Sequence, residues 1–322
     1  MRTLRFVTCD VFTSTPFAGN QLAVVFGAEA LRTDTLLAIT REFNYSETVF
    51  VFAPEDESHT RKIRIFTPAR ELPFAGHPTL GCAHTLVATG QVPAHGDEVT
   101  LVLGEGVGPV PVRVRLQGGV PVHAQLTAAQ PPEHRRDVPS IEILAKTLGL
   151  APSDFAGGSM MPEGVSCGIP FLIVPLVSVD AVRRARVDMD AWRRNLEGAW
   201  ASEPLVFTLT SRDANRADPT VPADLIHGCD VRARVFVPGL SVPEDPATGS
   251  ANACLAAYLA ARIPDDKLPR DGVLRWEVAQ GIEMGRPSRL SIEAVRRGES
   301  IAAVRVGGAS VIVSEGTMRV SA

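Results

Sequence analysis

The chain has 322 residues, 45% of them hydrophobic and 21% charged, which is a globular composition with enough length for about two domains. Acidic residues outnumber basic residues by 36 to 32, whereas a protein that binds nucleic acid normally carries a basic excess. No apolar run approaches the roughly 20 residues of a membrane-spanning helix, and the first residues alternate like a strand instead of forming a signal peptide. We therefore expect neither nucleic acid nor a membrane as a partner.

The cysteines argue for a reducing compartment. There are five of them, an odd number, and no two form a C-x-x-C pair. This pattern is typical of neither a zinc site nor a disulfide framework, so most of the thiols are predicted to be buried small side chains in a cytoplasmic protein. The five are Cys9, Cys82, Cys167, Cys229 and Cys254.

The first part of the chain is predicted to consist mainly of short strands. Residues 4–11, 22–26, 48–52 and 63–66 are rich in β-branched and aromatic residues and are separated by Gly, Pro and Thr. Apolar residues at helical spacing predict one helix within residues 31–43. Two alternating runs on either side of Gln117-Gly118-Gly119 predict a β-hairpin over residues 110–126.

A domain boundary is predicted near residue 128. Three prolines interrupt regular structure after the hairpin, at Pro131, Pro132 and Pro139, and a helix is expected to begin just after Ser140. The predicted domains are residues 1–128 and 129–322, with the last strands, on either side of Gly307-Gly308, free to return to the first half.

Two predicted helices lack a charged face. One follows Gly76-His77-Pro78, and the other is an alanine-rich segment that follows Gly249-Ser250. A helix without a polar face must be enclosed on nearly all sides, and in a strand-rich protein curved sheets supply that enclosure. One such helix in each half predicts an α+β fold of two similar halves, each wrapped around a central helix.

The starts of these two helices are the candidate site. Gly76 permits a close approach of the backbone, and Pro78 suits the first turn of a helix. Free backbone N–H groups and the positive end of the helix dipole bind anions, so two helix starts that face each other could hold one carboxylate-bearing substrate. His77 and Asp245 would then lie near the substrate.

Each candidate residue also has a purely structural interpretation. Gly-His-Pro is commonly a turn that enters a helix, Asp245 before Pro246 suits an ordinary cap, and Glu47 at the start of a strand is by default a solvated carboxylate. Together, however, a histidine, two carboxylates, glycines and small hydroxyls at two buried helix starts favour acid–base chemistry on a small acid.

Motifs along almost the whole chain resemble those of the phenazine-biosynthesis PhzF-like family, which is related in fold to diaminopimelate epimerase. The motifs are Asp10-Val-Phe-Thr, Phe17-Ala-Gly-Asn-Gln, Ser46-Glu-Thr-Val-Phe-Val, Phe66-Thr-Pro, Gly76-His77-Pro-Thr-Leu-Gly, Gly168-Ile-Pro-Phe-Leu-Ile-Val-Pro, Glu244-Asp-Pro-Ala-Thr-Gly-Ser-Ala, Gln280-Gly and Met284-Gly-Arg-Pro-Ser. The resemblance implies two pseudo-symmetric halves, each a β-barrel-like sheet around a central helix, with the active site in the cleft. It also implies a homodimer.

The resemblance further implies a cofactor-free isomerase that moves a proton on a small carboxylic acid. In that scheme Glu47 exchanges the proton, no metal or organic cofactor takes part, and the other matching residues support the reaction or hold the substrate. The implied catalytic residues are Glu47, His77, Asp245 and Ser250, and the implied substrate-binding residues are Asn20, Gly76, Thr248 and Gly249.

Two alternatives remain open from the sequence. One is a racemase or epimerase that uses Glu47 and either Asp245 or His77 on opposite faces of the substrate. The other is a ligand-binding protein without activity on the same fold. A mechanism with two thiols is not expected, because Cys82 and Cys254 lie about one turn inside their helices.

Overall fold

The computed structural model describes residues 1–210, 227–240 and 242–320. The chain forms two units, each with its own core. Unit 1 comprises Met1–Thr127 and Gly307–Ala322, and unit 2 comprises Ala128–Val306. Residues 211–226, 241 and 321–322 of the second predicted domain lie outside the described residues.

Unit 1 contains most of the strands predicted from the first part of the sequence. Its elements are β1 (Arg2–Val11), β2 (Asn20–Phe26), α1 (Thr33–Phe43), β3 (Glu47–Phe52), β4 (Arg61–Phe66), β5 (Glu71–Leu72), α2 (Gly76–Ala88), β6 (Glu98–Glu105), β7 (Gly108–Gln117), β8 (Val120–Thr127) and, from the end of the chain, β18 (Ser310–Val320).

Unit 2 contains shorter helices as well as strands. Its elements are β9 (Glu133–Arg135), α3 (Ile141–Leu148), β10 (Glu163–Ser166), β11 (Pro170–Pro175), α4 (Val179–Arg184), α5 (Met189–Asn195), β12 (Pro204–Leu209), β13 (Val231–Val237), β14 (Val242–Asp245), α6 (Gly249–Ala260), β15 (Val273–Gln280) and β16 (Ser288–Arg297). Strand β17 (Ser300–Gly308) begins in unit 2 and ends in unit 1.

The strand pairing in unit 1 explains why two strand starts lie at one sheet edge. Strand β1 pairs antiparallel with β2 on one side and with β18 on the other, from Arg2↔Val320 to Val11↔Ser310. Strands β2 and β3 are parallel neighbours, with Leu22 opposite Glu47, because α1 carries the chain back between them. The strands β6, β7 and β8 follow as an antiparallel meander, and the predicted hairpin at Gln117 is confirmed.

Helix α2 is the central helix of unit 1. Every residue from His77 to Val87 is buried, and the helix contacts β1, β2, β3, β6, β7, β8 and β18. Outside this layer, α1 is amphipathic and packs Leu36 and Ile39 against a cluster that includes Phe50 and Phe66. The enclosure predicted from the uncharged faces of α2 is therefore confirmed.

Helix α6 occupies the same role in unit 2. All of its residues except Ser250 are buried, and it contacts β10, β11, β15 and β16. A separate core forms where α3, α4 and α5 cover the strands, and it includes Leu144, Val182, Trp192 and Val206. Two units that each combine a sheet with a central helix make this an α+β fold, as the sequence predicts. Among the described residues, no helix combines the length and the apolar character needed to cross a membrane.

Candidate functional site

Three of the predicted site residues come together at one end of α2 in unit 1. Asn20 is the first residue of β2 and Glu47 the first residue of β3, so both lie at the edge where these parallel strands begin. Helix α2 packs on both strands, and its second residue is His77. The fold thus brings a carboxylate, an imidazole and an amide from three elements to one place.

The distances between these side chains are short enough for direct interaction. Glu47 Oε2 lies 3.5 Å from His77 Nε2, and Asn20 Nδ2 lies 3.4 Å from His77 Nδ1. The side chains of His77 and Glu47 are only 6% and 16% exposed, so bulk water has little access to the pair.

Burial keeps His77 neutral. Loss of solvation lowers the pKa of the imidazole to about 3, although a hydrogen bond with the Gln21 backbone opposes this change. Near neutral pH the ring therefore carries no charge, and Nε2 presents either a donor or an acceptor to Glu47, according to the tautomer. The two side chains form a pair that can hold or release one proton.

The first turn of α2 presents backbone donors beside this pair. The residue before the helix is Ala75, which has no capping side chain, and Pro78 has no N–H group. Thr79 N–H already bonds to the Ala75 carbonyl at 3.2 Å. The amides of Gly76 and His77 are therefore the first-turn donors available for an anion.

The second group of predicted residues lies at the start of α6 in unit 2. Asp245 ends β14, Thr248 immediately precedes the helix, and Gly249 and Ser250 are its first two residues. The Thr248 hydroxyl donates to Asp245 Oδ2 at 2.6 Å, which fixes the orientation of that carboxylate. Ser250 is partly exposed, whereas Gly249 is buried.

A buried glutamine joins these residues into a network. Gln280 Nε2 donates to the Asp245 carbonyl at 2.8 Å and contacts Thr248 Oγ1 at 3.2 Å. Its Oε1 accepts from Asn252 Nδ2 at 2.7 Å. Because Gln280 is wholly buried, its amide holds the strand that carries Asp245 against the first turn of α6.

Buried ion pairs hold the backbone segments on either side of this network. Arg234 forms two hydrogen bonds of 2.8 Å with Glu244, the neighbour of Asp245, and also donates to three backbone carbonyls near the end of α4. Arg232 pairs with Glu283 at 2.6 Å in the turn that follows Gln280. Bidentate charge-assisted bonds of this kind are among the stronger ones in proteins, so the backbone around Asp245 is firmly fixed.

The thiols are unsuited to acid–base work. All five cysteines are free and buried, as predicted. Burial raises the pKa of Cys82 and of Cys254 well above the ordinary thiol value, so both stay protonated near neutral pH. Within the described part of the chain, no group of three or more His, Cys, Asp or Glu side chains is arranged to hold a metal ion.

The structure thus assembles the predicted residues into two groups, one per unit. Asn20, Glu47, Gly76 and His77 share the start of α2, and Asp245, Thr248, Gly249 and Ser250 share the start of α6. Sequence reasoning did not assign a role to the polar residues that hold each group in place. One signal was available, since Asn252 is the sole side-chain amide in α6, most of whose other residues are small or apolar.

Comparison with known proteins identifies the class. An uncharacterised isomerase of Mesorhizobium japonicum is 37% identical over 322 residues, covering 99% of both chains. A trans-2,3-dihydro-3-hydroxyanthranilate isomerase of Pseudomonas aeruginosa is 35% identical over 315 residues, covering 97% of this chain and 98% of that protein. These relatives define the chain as an isomerase.

The family follows from a match along almost the entire sequence. The family model described as phenazine biosynthesis-like protein matches residues 9–316, and the chain therefore belongs to this PhzF-type family. A crystal structure of a PhzF family protein from Bacillus anthracis has the same fold, with a TM-score of 0.84 at 22% identity and coverage of 99% of this chain and 100% of that one. The resemblance inferred from the motifs is confirmed.

Proposed function

We propose that this isomerase moves a proton on a small unsaturated carboxylic acid and that Glu47 exchanges the proton. The observation that carries the proposal is the largely buried pair of Glu47 and His77, 3.5 Å apart, at the first turn of α2. A carboxylate in such a place takes a proton from carbon and returns it to another carbon of the same substrate. The C–H bond breaks as the O–H bond forms, and the double bond moves when the proton returns.

The surroundings of Glu47 suit this reversible transfer. His77 is neutral, so it does not hold Glu47 in a strong ion pair, and it offers a hydrogen-bonding partner in both protonation states of the carboxyl. When the substrate loses its proton, negative charge spreads into the conjugated acid. In this proposal the amides of Gly76 and His77 stabilise that charge, and Asn20 makes a further polar contact.

We assign supporting roles to the residues at the start of α6. Asp245 and Ser250 are proposed as polar groups of the reaction, and Thr248 and the Gly249 backbone as binding groups. Support comes from the fixed orientation of Asp245, which accepts from Thr248 at 2.6 Å and whose backbone carbonyl accepts from Gln280 at 2.8 Å. A fixed donor or carboxylate is what acid–base catalysis requires.

The substrate class is proposed from the relatives. The P. aeruginosa relative is named for its action on trans-2,3-dihydro-3-hydroxyanthranilate, an unsaturated ring with a carboxylate. We propose a substrate of the same chemical class here, a conjugated or potentially conjugated small acid. We further propose that the reaction needs no metal or organic cofactor, because a carboxylate, a neutral imidazole and backbone amides suffice for proton transfer.

Solvent-deuterium exchange tests this proposal. The protein, passed over a desalting column after treatment with EDTA, is incubated in D₂O with trans-2,3-dihydro-3-hydroxyanthranilate and a panel of unsaturated and amino acids, and the products are analysed by NMR and mass spectrometry. We expect deuterium to enter one substrate class together with a shift of its double bond. In Glu47→Gln the exchange should fall by about 10³-fold or more, because the base is lost.

Glu42→Gln is the matched control. It makes the same change five residues upstream, at an exposed position of α1, and should exchange deuterium like the wild type. Full exchange in Glu47→Gln would contradict the role of Glu47. Deuterium at a stereocentre with inversion, and no double-bond shift, would instead show an epimerase. Binding of a panel member without any exchange would support a ligand-binding protein.

A further inference from the structure

A partly buried glutamate outside the proposed catalytic groups contacts the first turn of α2. Glu105 is the last residue of β6, and its Oε1 lies 2.7 Å from Thr79 Oγ1. The same Thr79 hydroxyl lies 2.7 Å from the carbonyl oxygen of Ala75, the residue that precedes α2. Glu105, Thr79 and Ala75 therefore form a short chain of oxygen atoms in unit 1.

The single hydroxyl proton of Thr79 determines the protonation state of Glu105. A hydroxyl has one proton, and a single proton cannot lie along two 2.7 Å contacts in different directions. The Ala75 carbonyl has no proton to donate, so Thr79 donates to it. The second contact then needs a proton from Glu105, whose carboxyl group must donate to Thr79 Oγ1.

Two further observations agree with a neutral Glu105. Its Oε2 is buried and has no hydrogen-bond partner among the described residues, which would be very costly for an ionised carboxylate. Burial also raises the pKa of Glu105 to about 8.

The hydrogen bonds from Glu105 through Thr79 end at the Ala75 carbonyl, next to the Gly76 and His77 amides that the proposed function uses. Ala75 accepts from both the side chain and the backbone of Thr79, and Gly76 and His77 follow it directly. We propose that the protonated carboxyl of Glu105 is a positioning group that fixes the first turn of α2, and that its ionisation disturbs Gly76 and His77. This inference rests on the proposed function in so far as it predicts activity, but the predicted movement of the turn does not depend on activity.

The charged groups around Glu105 are largely occupied with other partners. On β4 and β5, Lys62 pairs with Glu55 at 2.5 Å and Arg64 pairs with Glu71 at 2.6 Å. All four side chains line a pocket of about 520 Å³ that Glu105 also borders. Arg61, also on β4, donates to the backbone carbonyls of Thr60 and Gln91. Two further titratable groups are His59, whose ring lies against Gly104, and Cys82 of α2. Since the three cations are engaged with these partners, they do little to stabilise an ionised Glu105.

Ionisation of Glu105 would rearrange the hydrogen bonds. A carboxylate can only accept, so the Thr79 hydroxyl would turn toward Glu105 and release the Ala75 carbonyl. The pKa of Glu105 in the folded protein, about 8, is above its ordinary value of 4.5. The stabilisation from the neutral carboxyl is therefore complete below about pH 4.5 and is lost as the pH rises through about 8. Activity should decline over the same alkaline range.

NMR titration tests the position of the turn directly. In the wild type we expect the amide shifts of Gly76 and His77 to titrate with a midpoint near 8, together with the side-chain carboxyl carbon of Glu105. In Glu105→Gln the amide donates to Thr79 at every pH, so this titration should disappear. A Glu105 carbon that titrates near 4.5, or Gly76 and His77 amides that do not follow it, would overturn the proposal.

Activity profiles give the second readout. Proton exchange by the wild type should fall about tenfold for each pH unit above the midpoint, and Glu105→Gln should retain activity there. Thr79→Val should lower kcat by about 10-fold to 100-fold at neutral pH, and Thr79→Ser should restore it. Glu98→Gln, an exposed change on the same strand β6, is the control and should behave like the wild type. An unchanged alkaline decline in Glu105→Gln would contradict the proposal.

If Glu47→Gln retained full exchange, the proposed function would fail, while the amide titration would still decide whether Glu105 positions the turn.

Discussion

The two central helices begin in similar ways but are held by different chemistry. Both α2 and α6 are almost wholly buried, and neither first turn has a capping side chain. In unit 1 the turn is held by a carboxyl group, Glu105, through Thr79. In unit 2 it is held by a side-chain amide, Gln280, through Thr248 and Asn252.

The difference matters because an amide does not titrate and a carboxyl does. Gln280 supplies a donor and an acceptor at every pH, so its own hydrogen bonds to the start of α6 do not depend on pH. Glu105 supplies a donor only while it is protonated. We therefore expect pH sensitivity to be concentrated at the start of α2, where the proposed proton-exchanging pair also lies.

The opposite behaviour of a second glutamate sharpens this comparison. Glu163 of unit 2 lies near the other end of α6 and accepts from Arg262 Nη2 at 2.5 Å and from His134 Nδ1 at 3.2 Å. Burial alone would raise the pKa of Glu163, but these two partners outweigh burial and lower it to about 2. Glu163 is thus ionised and Glu105 neutral, because Glu163 bonds directly to Arg262, whereas Glu105 bonds to the Thr79 hydroxyl.

The largest effect is expected from breaking the ion pair of unit 2. Arg262→Met removes the cation and leaves Glu163 buried with His134 alone, which should lower the free energy of unfolding by about 3–5 kcal/mol. The variant also loses the contact of the guanidinium with the Tyr258 ring, 3.4 Å from its centroid. Urea unfolding at pH 7 measures the change.

The control for this prediction is an exposed pair. Arg113→Met breaks the ion pair with Glu98, in which the Arg113 and Glu98 side chains are 53% and 38% exposed. This variant should lower the free energy of unfolding by less than about 1 kcal/mol. In the wild type, the stabilisation from ionised Glu163 is present above about pH 4.5 and is lost as the pH falls through about 2. Equal losses in the two arginine variants would contradict the assignment of Glu163 as a buried charge.

The second-largest effect is expected when the amide at the start of α6 is replaced by a carboxyl group, the kind of group that holds the start of α2. In Gln280→Glu a protonated carboxyl can still donate to the Asp245 carbonyl, but an ionised one cannot. Because the site is buried, we expect the new carboxyl to have a raised pKa and unit 2 to lose stability as the pH rises. Gln280→Leu should instead lose about 1–3 kcal/mol at every pH, since it leaves Asn252 and Asp245 with unmet hydrogen bonds.

Thermal unfolding from pH 5 to pH 9 distinguishes these variants. Gln117→Glu, at an exposed position of the β7–β8 hairpin, makes the same change without burial and should show no such slope. A flat profile for Gln280→Glu would mean that the difference between the two helix starts does not lie in their ability to titrate.

The fold could be predicted well where local signals exist. The two central helices are predicted to follow Gly76-His77-Pro78 and Gly249-Ser250, and in the structure they include these residues and begin at Gly76 and Gly249. The enclosure of both helices follows from their lack of a charged face. The partner of the last strand could not be predicted. Strand β18 pairs with β1 across some 300 residues of sequence, and a contact of that range leaves no local signal.

The residues of the candidate site could be predicted from the sequence, but their contacts and protonation states could not. Short motifs and the family resemblance give Glu47 and His77, while the 3.5 Å contact between them depends on β3 and α2 meeting at one sheet edge. The neutral state of Glu105 depends on burial and on a contact with Thr79, 26 residues away. Sequence patterns identify a glutamate at the end of a strand but not which side chain bonds to its carboxyl group.

The smallest effect tests how closely α2 must approach the sheet. Gly81 lies one turn after His77 on the same helix face, and a Cβ there would stand 2.6 Å from side-chain atoms of both Leu22 and Val11. Gly81→Ala gains helix propensity but forces the helix away from β1 and β2, for a net loss of about 1 kcal/mol. Because that displacement separates His77 from Asn20, activity should fall by more than the stability loss explains. Gly157→Ala, which has open space around its Cβ position and an ordinary φ, is the control and should leave both unchanged. If Gly81→Ala lowered stability and left proton exchange intact, the spacing of the helix and the sheet would matter for the core of unit 1 but not for the Glu47 and His77 pair.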